Sequence, residues 1–377
     1  MASRPHLPSL GRLPWPGSLR RRAAFVPALL IAGSLVVAAA PSAVAAHSDG
    51  PKYVQTNLVS DVPGMAPILD ASLVNPWGMS FGPSTPVWVS DNGTDVTTLY
   101  KGATLGVPFV KVPLTVAIPD GAPTGQVFNA GPDFMVMGSK ALFIFASEHG
   151  SIDAWRQGLA PATNALSVVT VPGAEFKGLA ISTGVGGSWL YAADFAHHSI
   201  DVFDGAFALQ NWHGAFKDSK IPDSYAPFNI QNLGGLLYVT YAKVGPTGDD
   251  VAGIGHGFVD VFNTSGKLLH RLVRRGALDS PWGIQIAPTG FGKFSGDLLV
   301  GNFGNGRIHA YNRFNGEYEG TLMGVNGKPI WIDGLWGLQF GNGVAGMPTA
   351  LLFTAGPDGE NHGLLGTLTL ALDSDGD

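Results

Sequence analysis

Four short segments decide the fold, and they are variants of one pattern: Asn-Pro-Trp-Gly at residues 75–78, Ala-Pro-Phe-Asn at 226–229, Ser-Pro-Trp-Gly at 280–283 and Gly-Leu-Trp-Gly at 334–337. Each opens a unit of about 50 residues, a period typical of blades built from four short strands. Two weaker openings complete the series. We therefore predict six blades, starting near residues 75, 125, 175, 226, 280 and 334.

Inside each unit, short apolar runs alternate with turns that contain Gly, Asn or His. The third run of a unit alternates apolar and polar residues, as in 199–203 and 258–262. This period of two predicts strands with one face in a core and the other toward solvent. The sequence therefore predicts an all-β protein, a six-bladed β-propeller, and no long helix after the N-terminal segment.

The last unit has only three strands, which end near Leu370. Residues 53–59, far away in sequence, have strand character. We expect this N-terminal strand to complete the last blade, because such pairing covers an exposed sheet edge and ties the chain ends together. The propeller domain is predicted to span residues 47–377.

Several of these strings resemble a known type of repeat. Residues 89–93, 193–203 and 301–311 are similar to NHL-type propeller repeats, and residues 53–370 resemble a family of uncharacterised secreted bacterial β-propeller proteins. NHL-like propellers include scaffolds, lactonases and related hydrolases. The resemblance thus implies a fold and leaves the activity open.

Residues 1–46 have the pattern of an export signal peptide. Arginines at 20–22 precede an apolar stretch at 23–40, and Ala-Val-Ala at 43–45 supplies small residues for cleavage. The alternative is an N-terminal membrane anchor, since the apolar stretch reaches the lower limit for spanning. Cleavage would place the mature protein outside the cytoplasm, periplasmic or secreted, with no further membrane span.

Composition narrows the classes of function. The chain has no cysteine, which excludes disulfides, thiolate metal sites and cysteine nucleophiles. Its net charge is −6, and residues 1–46 contain arginines but no acidic residue, so the remainder is more acidic still. An acidic surface argues against nucleic acid as a partner. The expected partners are a small molecule or an extracytoplasmic protein.

Propeller topology predicts where a site lies, because the unit openings and the turns after the second strands meet at one mouth of the channel. Oxygen ligands from several blades would suit calcium there. The positions we favour for a calcium site are Asp91, Asp194, Asn302 and Asp358. The competing interpretation is that these residues hold their own turns by bonding local amides.

Two functions are compatible with this mouth. The first is a ligand- or protein-binding module. The second is a calcium-dependent hydrolase, similar to a lactonase or esterase, in which the ion polarises a carbonyl and His149 or His197 activates water. For both histidines the alternative is an ordinary hydrogen-bonded loop residue.

The fourth unit departs from the repeat. Its second turn is the long glycine-rich segment 242–257, which carries Asp249, Asp250 and His256. We expect a mobile loop over the mouth that, with His362, binds a ligand; the alternative is a tolerated insertion. The aromatic residue of each opening, such as Trp77, either packs between blades or stacks on a ligand, and its repetition favours packing.

Overall fold

The protein is described by a computed structural model that covers residues 51–184 and 186–371. The predicted export segment at 1–46 lies outside the described residues. The described chain is almost entirely β-structure, with two short 3-10 helices at Asn92–Thr94 and Gly292–Phe294. Within the described ranges, no helix is both long and apolar enough to cross a bilayer.

The chain begins with β1 (Lys52–Ser60) and β2 (Ile68–Leu69) and then builds antiparallel sheets one after another. Blade 1 contains β3 (Pro76–Ser80), β4 (Val87–Asp91), β5 (Val96–Lys101) and β6 (Val110–Ala117). Blade 2 contains β7 (Pro123–Phe128), the small hairpin β8 (Met135–Val136) and β9 (Ser139–Lys140), then β10 (Phe143–Ser147), β11 (Ser151–Trp155) and β12 (Leu166–Thr170). Blade 3 contains β13 (Phe176–Gly184), β14 (Gly187–Asp194), β15 (Ser199–Asp204) and β16 (Leu209–Gln210).

The second half repeats this plan. Blade 4 contains β17 (Tyr225–Leu233), β18 (Leu236–Lys243), β19 (Gly257–Phe262) and β20 (Leu268–Arg274). Blade 5 contains β21 (Pro281–Ile286), β22 (Leu298–Asn302), β23 (Ile308–Tyr311) and β24 (Tyr318–Thr321), followed by β25 (Met323–Gly324). Blade 6 contains β26 (Leu335–Phe340), β27 (Leu351–Ala355) and β28 (Leu364–Leu370).

The six-bladed propeller predicted from the repeat is confirmed. Each inner strand begins within two residues of its predicted blade start, at these positions: Pro76, Pro123, Phe176, Tyr225, Pro281 and Leu335. In each sheet the first strand is innermost and later strands lie progressively outward. Separate buried apolar clusters lie between neighbouring blades, as between blades 2 and 3, and hold successive sheets together.

The closing strand is confirmed as well. β1 pairs antiparallel with β28 from Tyr53 opposite Leu370 to Ser60 opposite Leu364, and so forms the outer strand of blade 6. Tyr53 is only 1% exposed, and its hydroxyl donates to the Phe291 carbonyl at 2.9 Å. Blade 6 is therefore made from both ends of the described chain.

A β-bulge recurs where the inner strands begin. In blade 1 the register between β3 and β4 shifts between Pro76 and Met79, and blades 5 and 6 shift at the equivalent place. A bulge leaves residues unpaired and turns a side chain out of the regular alternation. Here it includes Trp77 and its equivalents Trp282 and Trp336, which meet in one buried cluster.

These three indole rings pack on one another at the centre of the inner strands. Trp77 stacks on Trp336 with centroids 3.6 Å apart, and Trp282 stands edge-on to both at 6.0 and 5.9 Å. All three are at most 2% exposed. The expectation that the recurring aromatic residues pack is confirmed, because rings this deeply buried offer no open face to a ligand.

The glycine that follows each of these tryptophans is required by close backbone approach. A Cβ on Gly78 would lie 2.5 Å from the Thr124 carbonyl oxygen, and one on Gly337 would lie 2.6 Å from the Trp77 carbonyl oxygen. Real Cβ contacts are never this short, so a side chain here would push neighbouring inner strands apart. The tryptophan ring of each pair thus fills part of the propeller axis, and the glycine allows neighbouring inner strands to approach closely around the rings.

Candidate functional site

Polar side chains from several blades meet at the mouth where the inner strands begin. Asn75, just before β3, donates through Nδ2 to Asn92 Oδ1 at 3.2 Å and to Glu360 Oε2 at 2.7 Å. Asn92 in turn donates to Glu148 Oε2 at 2.9 Å. These bonds join the openings to the turns after second strands of blades 1, 2 and 6. The convergence expected from propeller topology is therefore present.

Lys177 is the centre of this network. It lies in β13, and its side chain is only 7% exposed. Its Nζ contacts the carboxylates of both Glu148 and Glu175. Burial alone would lower the pKa of Lys177, but the two glutamates outweigh burial and raise it above its ordinary value. The two glutamates therefore favour the charged ammonium form of Lys177.

Two further carboxyl groups belong to the mouth without a direct cationic partner. Burial raises the pKa of Glu360, and the nearby Glu148 and Asp250 raise it further. Burial likewise raises the pKa of Asp250. Lys177 lies close enough to oppose both shifts. Among the described residues of the mouth, the Lys177 ammonium is thus set against four carboxyl groups, so acidic groups outnumber the basic one.

The indole cluster forms the floor of this mouth. The Lys177 ammonium lies 5.2 Å from the centre of the Trp77 ring, within the range of a cation–π contact. Trp336 Nε1 donates to Asn75 Oδ1 at 2.9 Å, and Trp282 Nε1 donates to the Lys177 carbonyl at 3.2 Å. The Trp77 indole N–H is buried and has no partner among the described residues. The floor and the charged network therefore hold each other in position.

The four positions that we favoured for calcium do not form a ready cluster of metal ligands in the described part of the chain, and the calcium site stays a prediction. Among the described residues, no three Asp, Glu, His or Cys side chains come together as metal ligands. Asp91 is fully buried beside β5, and burial raises its pKa well above the ordinary value. Neither of its carboxylate oxygens has a hydrogen-bond partner among the described residues.

The other three expected ligands belong to their own turns. Asp194 accepts from the amides of Glu175 and His197 at 3.2 and 3.0 Å. Asn302 donates to the Ala277 carbonyl at 2.8 Å. Asp358 adopts a left-handed backbone with φ of 57° at the last turn. The turn-holding interpretation accounts for the contacts of Asp194, because short polar side chains satisfy backbone amides at such positions.

The two candidate catalytic histidines also make local contacts. His149 Nδ1 lies 2.5 Å from the Asp120 carbonyl, and His197 Nδ1 lies 2.7 Å from Asp194 Oδ2. Neither imidazole is hydrogen-bonded to the Lys177 network in the part of the chain that the structure describes. Their catalytic role stays a prediction.

The long turn of blade 4 brings one of its predicted ligand residues to the mouth. Asp250 lies near Lys177 and Glu360, as their mutual effects on pKa show. His256 turns back on the loop, with Nδ1 2.8 Å from the Val251 carbonyl. Asp249 accepts from Thr247 within the loop at 3.1 Å.

The same loop is tied to the neighbouring blade. The amides of Gly253 and Gly255 donate to the Asp279 carboxylate at 2.6 Å and to the Leu278 carbonyl at 2.7 Å. The remaining predicted ligand, His362, lies in the last turn with Nδ1 2.8 Å from Asp61 Oδ2. That carboxylate raises the pKa of His362.

The sequence analysis did not single out Lys177 or the glutamates that contact it. A signal for Lys177 was present, because it is the only charged residue within the six inner strands as the structure bounds them. A charge in strands that line a propeller axis is buried and needs partners. Glu175, two positions earlier, and Glu148, in the preceding blade, supply them.

Fold and mouth together define a six-bladed β-propeller with a charged polar site at one end of its axis. No family model matches the chain. It is 34% identical over 332 residues to an uncharacterized protein of Acanthamoeba polyphaga mimivirus, covering 82% of this chain and 78% of the viral protein. A second uncharacterized mimivirus protein is 32% identical, over 82% of this chain and 84% of its own length. The chain belongs to the same family as these proteins.

A solved structure supports the fold. The α-L-arabinanase of Penicillium chrysogenum, solved with arabinobiose, superposes with a TM-score of 0.52 at 12% identity and covers 85% of this chain and 99% of its own. A streptogramin B lyase superposes with a TM-score of 0.49 at 11% identity, over 85% of this chain and 97% of its own. At such low identity the arabinanase likeness speaks for the propeller alone, and no activity passes to this chain.

Proposed function

We propose that this protein is an exported binding module that accepts a cationic group at the mouth of its propeller. The cation belongs to a small molecule or to a basic side chain of an extracytoplasmic protein. The observation that carries the proposal is the charge imbalance at the mouth, where Lys177 alone faces Glu148, Glu175, Glu360 and Asp250.

The electrostatics favour a second positive charge. Lys177 Nζ is already engaged by two glutamates, so Glu360 and Asp250 are left with neutral partners. Their raised pKa values mean that the protein resists ionising them. An incoming cation would relieve that resistance and lower both pKa values. Walls of low dielectric around the mouth strengthen the attraction.

A calorimetric titration tests this function. Spermidine and arginine amide serve as probes at low ionic strength, and calcium chloride is titrated separately. We expect an organic cation to bind, and the affinity to fall about tenfold in Glu360→Gln, since a partly buried charge pair contributes about 1–2 kcal/mol. Glu317→Gln, in an exposed turn of blade 5, is the matched control. Equal affinity in both variants would refute a cation site at the mouth.

The calcium-dependent hydrolase remains the second candidate. In this structure the mouth carboxylates already surround the Lys177 ammonium, so a calcium ion would have to compete with a charge supplied by the chain itself. Calcium-dependent cleavage of a lactone or ester, lost in His149→Ala or His197→Ala, would favour this function. Calcium binding that competes with spermidine but brings no cleavage would favour the binding module.

Export and ancestry are part of the proposal. We propose that residues 1–46 are removed on export and that the blades are of the NHL-like type found in secreted bacterial proteins. The support is the arginine cluster at 20–22 with the apolar stretch and small residues that follow it. N-terminal sequencing of the protein from an extracytoplasmic fraction tests export. A first residue near His47 is expected, and an intact N-terminus in the cytoplasm would contradict it.

A further inference from the structure

A cavity opens at the other end of the propeller axis, where the inner strands finish. It has a volume of about 540 Å³ and is lined by the ends of β3, β7, β13, β17, β21 and β26. The buried indole cluster of Trp77, Trp282 and Trp336 lies at the opposite, opening ends of these strands. The cavity is therefore separate from the charged mouth, and an assignment here is independent of the function proposed there.

Three glutamines form an arc along one side of this cavity. Gln231, Gln285 and Gln339 come from blades 4, 5 and 6, and each is 54 residues from the next. They occupy the same position of the repeat. Gln285 Nε2 donates to Gln231 Oε1 at 3.2 Å and to Gln339 Oε1 at 2.9 Å. The arc is thus a continuous hydrogen-bonded unit.

The arc retains unused hydrogen-bonding groups. A side-chain amide has two N–H donors and a carbonyl with two lone pairs. The two internal bonds use the donors of Gln285 and one lone pair each on Gln231 and Gln339. The N–H groups of Gln231 and Gln339 and the carbonyl of Gln285 have no protein partner among the described residues. Donors and an acceptor therefore alternate along the arc at the cavity surface.

The contrast with Gln126 shows that the arc is not a packing device. Gln126 also lines the cavity, but it donates to the Gly78 carbonyl and to Ser90 Oγ, both at 3.0 Å, and it accepts from Ser80 Oγ at 2.9 Å. Its amide donors and its carbonyl are therefore already hydrogen-bonded to other groups of the protein. The glutamines of blades 4 to 6 instead leave theirs available to a ligand.

The wall across from the arc is mostly apolar. Met79, Phe81, Val127, Phe128, Leu179 and Ile181 line it, together with Ser80 and Gln126. None of the described residues lining the cavity is charged. A charged ligand would lose its hydration here without gaining a counter-charge, whereas a neutral one would not. The cavity therefore suits a neutral molecule with one hydrogen-bonding edge and one apolar face.

We infer that this cavity is a second binding site, for a neutral saccharide of one or two sugar rings. Sugar hydroxyls both donate and accept hydrogen bonds. One hydroxyl can therefore accept from an amide N–H of the arc and donate to the Gln285 carbonyl. The C–H face of the ring packs on the wall around Phe81 and Phe128. The volume falls within the range of about 300–1,000 Å³ typical of small-molecule sites.

Saturation-transfer NMR tests the inference, because it detects binding in the millimolar range. The probes are glucose, galactose, N-acetylglucosamine, maltose and cellobiose, with uridine and a blocked neutral dipeptide as the competing classes. We expect at least one saccharide to give a signal and uridine and the dipeptide to give none. Absence of signal from every saccharide, or a stronger signal from either competing class, would overturn the assignment.

Two variants locate the bound sugar. Gln285→Leu removes the centre of the arc at nearly constant volume, and we expect the affinity to fall about tenfold. Gln210→Leu, on the outer strand β16, makes the same chemical change away from the cavity and is expected to bind normally. Should Gln285→Leu fail to fold, Gln339→Leu replaces it, since that residue is less buried. Unchanged binding in the folded arc variant would refute the site.

Discussion

Replacing Lys177 with methionine tests whether the buried ammonium is the element that holds the mouth together. The substitution keeps the length and much of the volume of the side chain and removes only its charge and donors. Glu148 and Glu175 would then face each other, and Glu360 and Asp250, without a cation between them. We expect a folded but less stable protein.

The magnitude follows from the burial of the partners. Breaking a fully buried ion pair costs about 3–5 kcal/mol. Here the lysine side chain is 7% exposed but each glutamate is 26% exposed, so solvent screens part of the repulsion. We therefore expect a loss of about 2–3 kcal/mol in the free energy of unfolding. For a domain of this size that corresponds to a fall in Tm of about 3–5 °C.

Thermal unfolding followed by circular dichroism measures the effect at pH 7. The triple variant Lys177→Met, Glu148→Gln, Glu175→Gln removes the unpaired charges and should recover most of the lost stability. Lys220→Met, at an exposed position, is the matched control and should change the unfolding free energy by less than about 0.5 kcal/mol. A Tm unchanged in the single variant, or a triple variant no more stable than the single, would refute the reasoning.

Three further predictions concern the buried carboxyl group of Asp153, the closing strand and the long loop of blade 4. Burial raises the pKa of Asp153 to about 7, so the folded protein favours the protonated carboxyl and loses stability as the pH rises from the pKa of the unfolded state toward 7. Asp153→Asn should reduce this fall in stability between pH 5 and pH 8 by about 2–3 kcal/mol in denaturant titrations. An unchanged fall would contradict the prediction. Deleting residues 51–60 removes buried Tyr53 and Val59 and should cost at least about 4 kcal/mol, measured by calorimetry against the full-length protein; equal Tm values would refute the role of the closing strand. Replacing residues 245–255 with Asn-Gly removes Asp250, and we expect a folded protein with weaker spermidine binding; unchanged folding and affinity would show that the loop is a tolerated insertion.

The sequence was most informative where one structural requirement recurs in several blades. The Trp-Gly pair marks the starts of blades 1, 5 and 6, because the ring fills the axis and the glycine lets neighbouring backbones approach closely. The same repetition identified the aromatic residues as packing elements. The N-terminal strand was predictable because a three-stranded last unit leaves an edge that must be covered.

The site was less predictable because it depends on where single side chains point. The end of β4 was expected to direct Asp91 to the mouth, but that carboxyl is fully buried and is not hydrogen-bonded to the Lys177 network among the described residues. The direction of a single side chain depends on the register of its strand, which the repeat period does not reveal. The glutamines at 231, 285 and 339 did carry a readable signal, the same residue type at one position of three successive units.

A crystal structure of the protein soaked with arginine amide at low ionic strength tests the proposed function most directly. We expect difference density for the guanidinium at the mouth, in contact with Glu360 and Asp250, and no such density in crystals of Glu360→Gln. Density for the probe at another place, or equal density at the mouth of the variant, would contradict a cation-binding mouth.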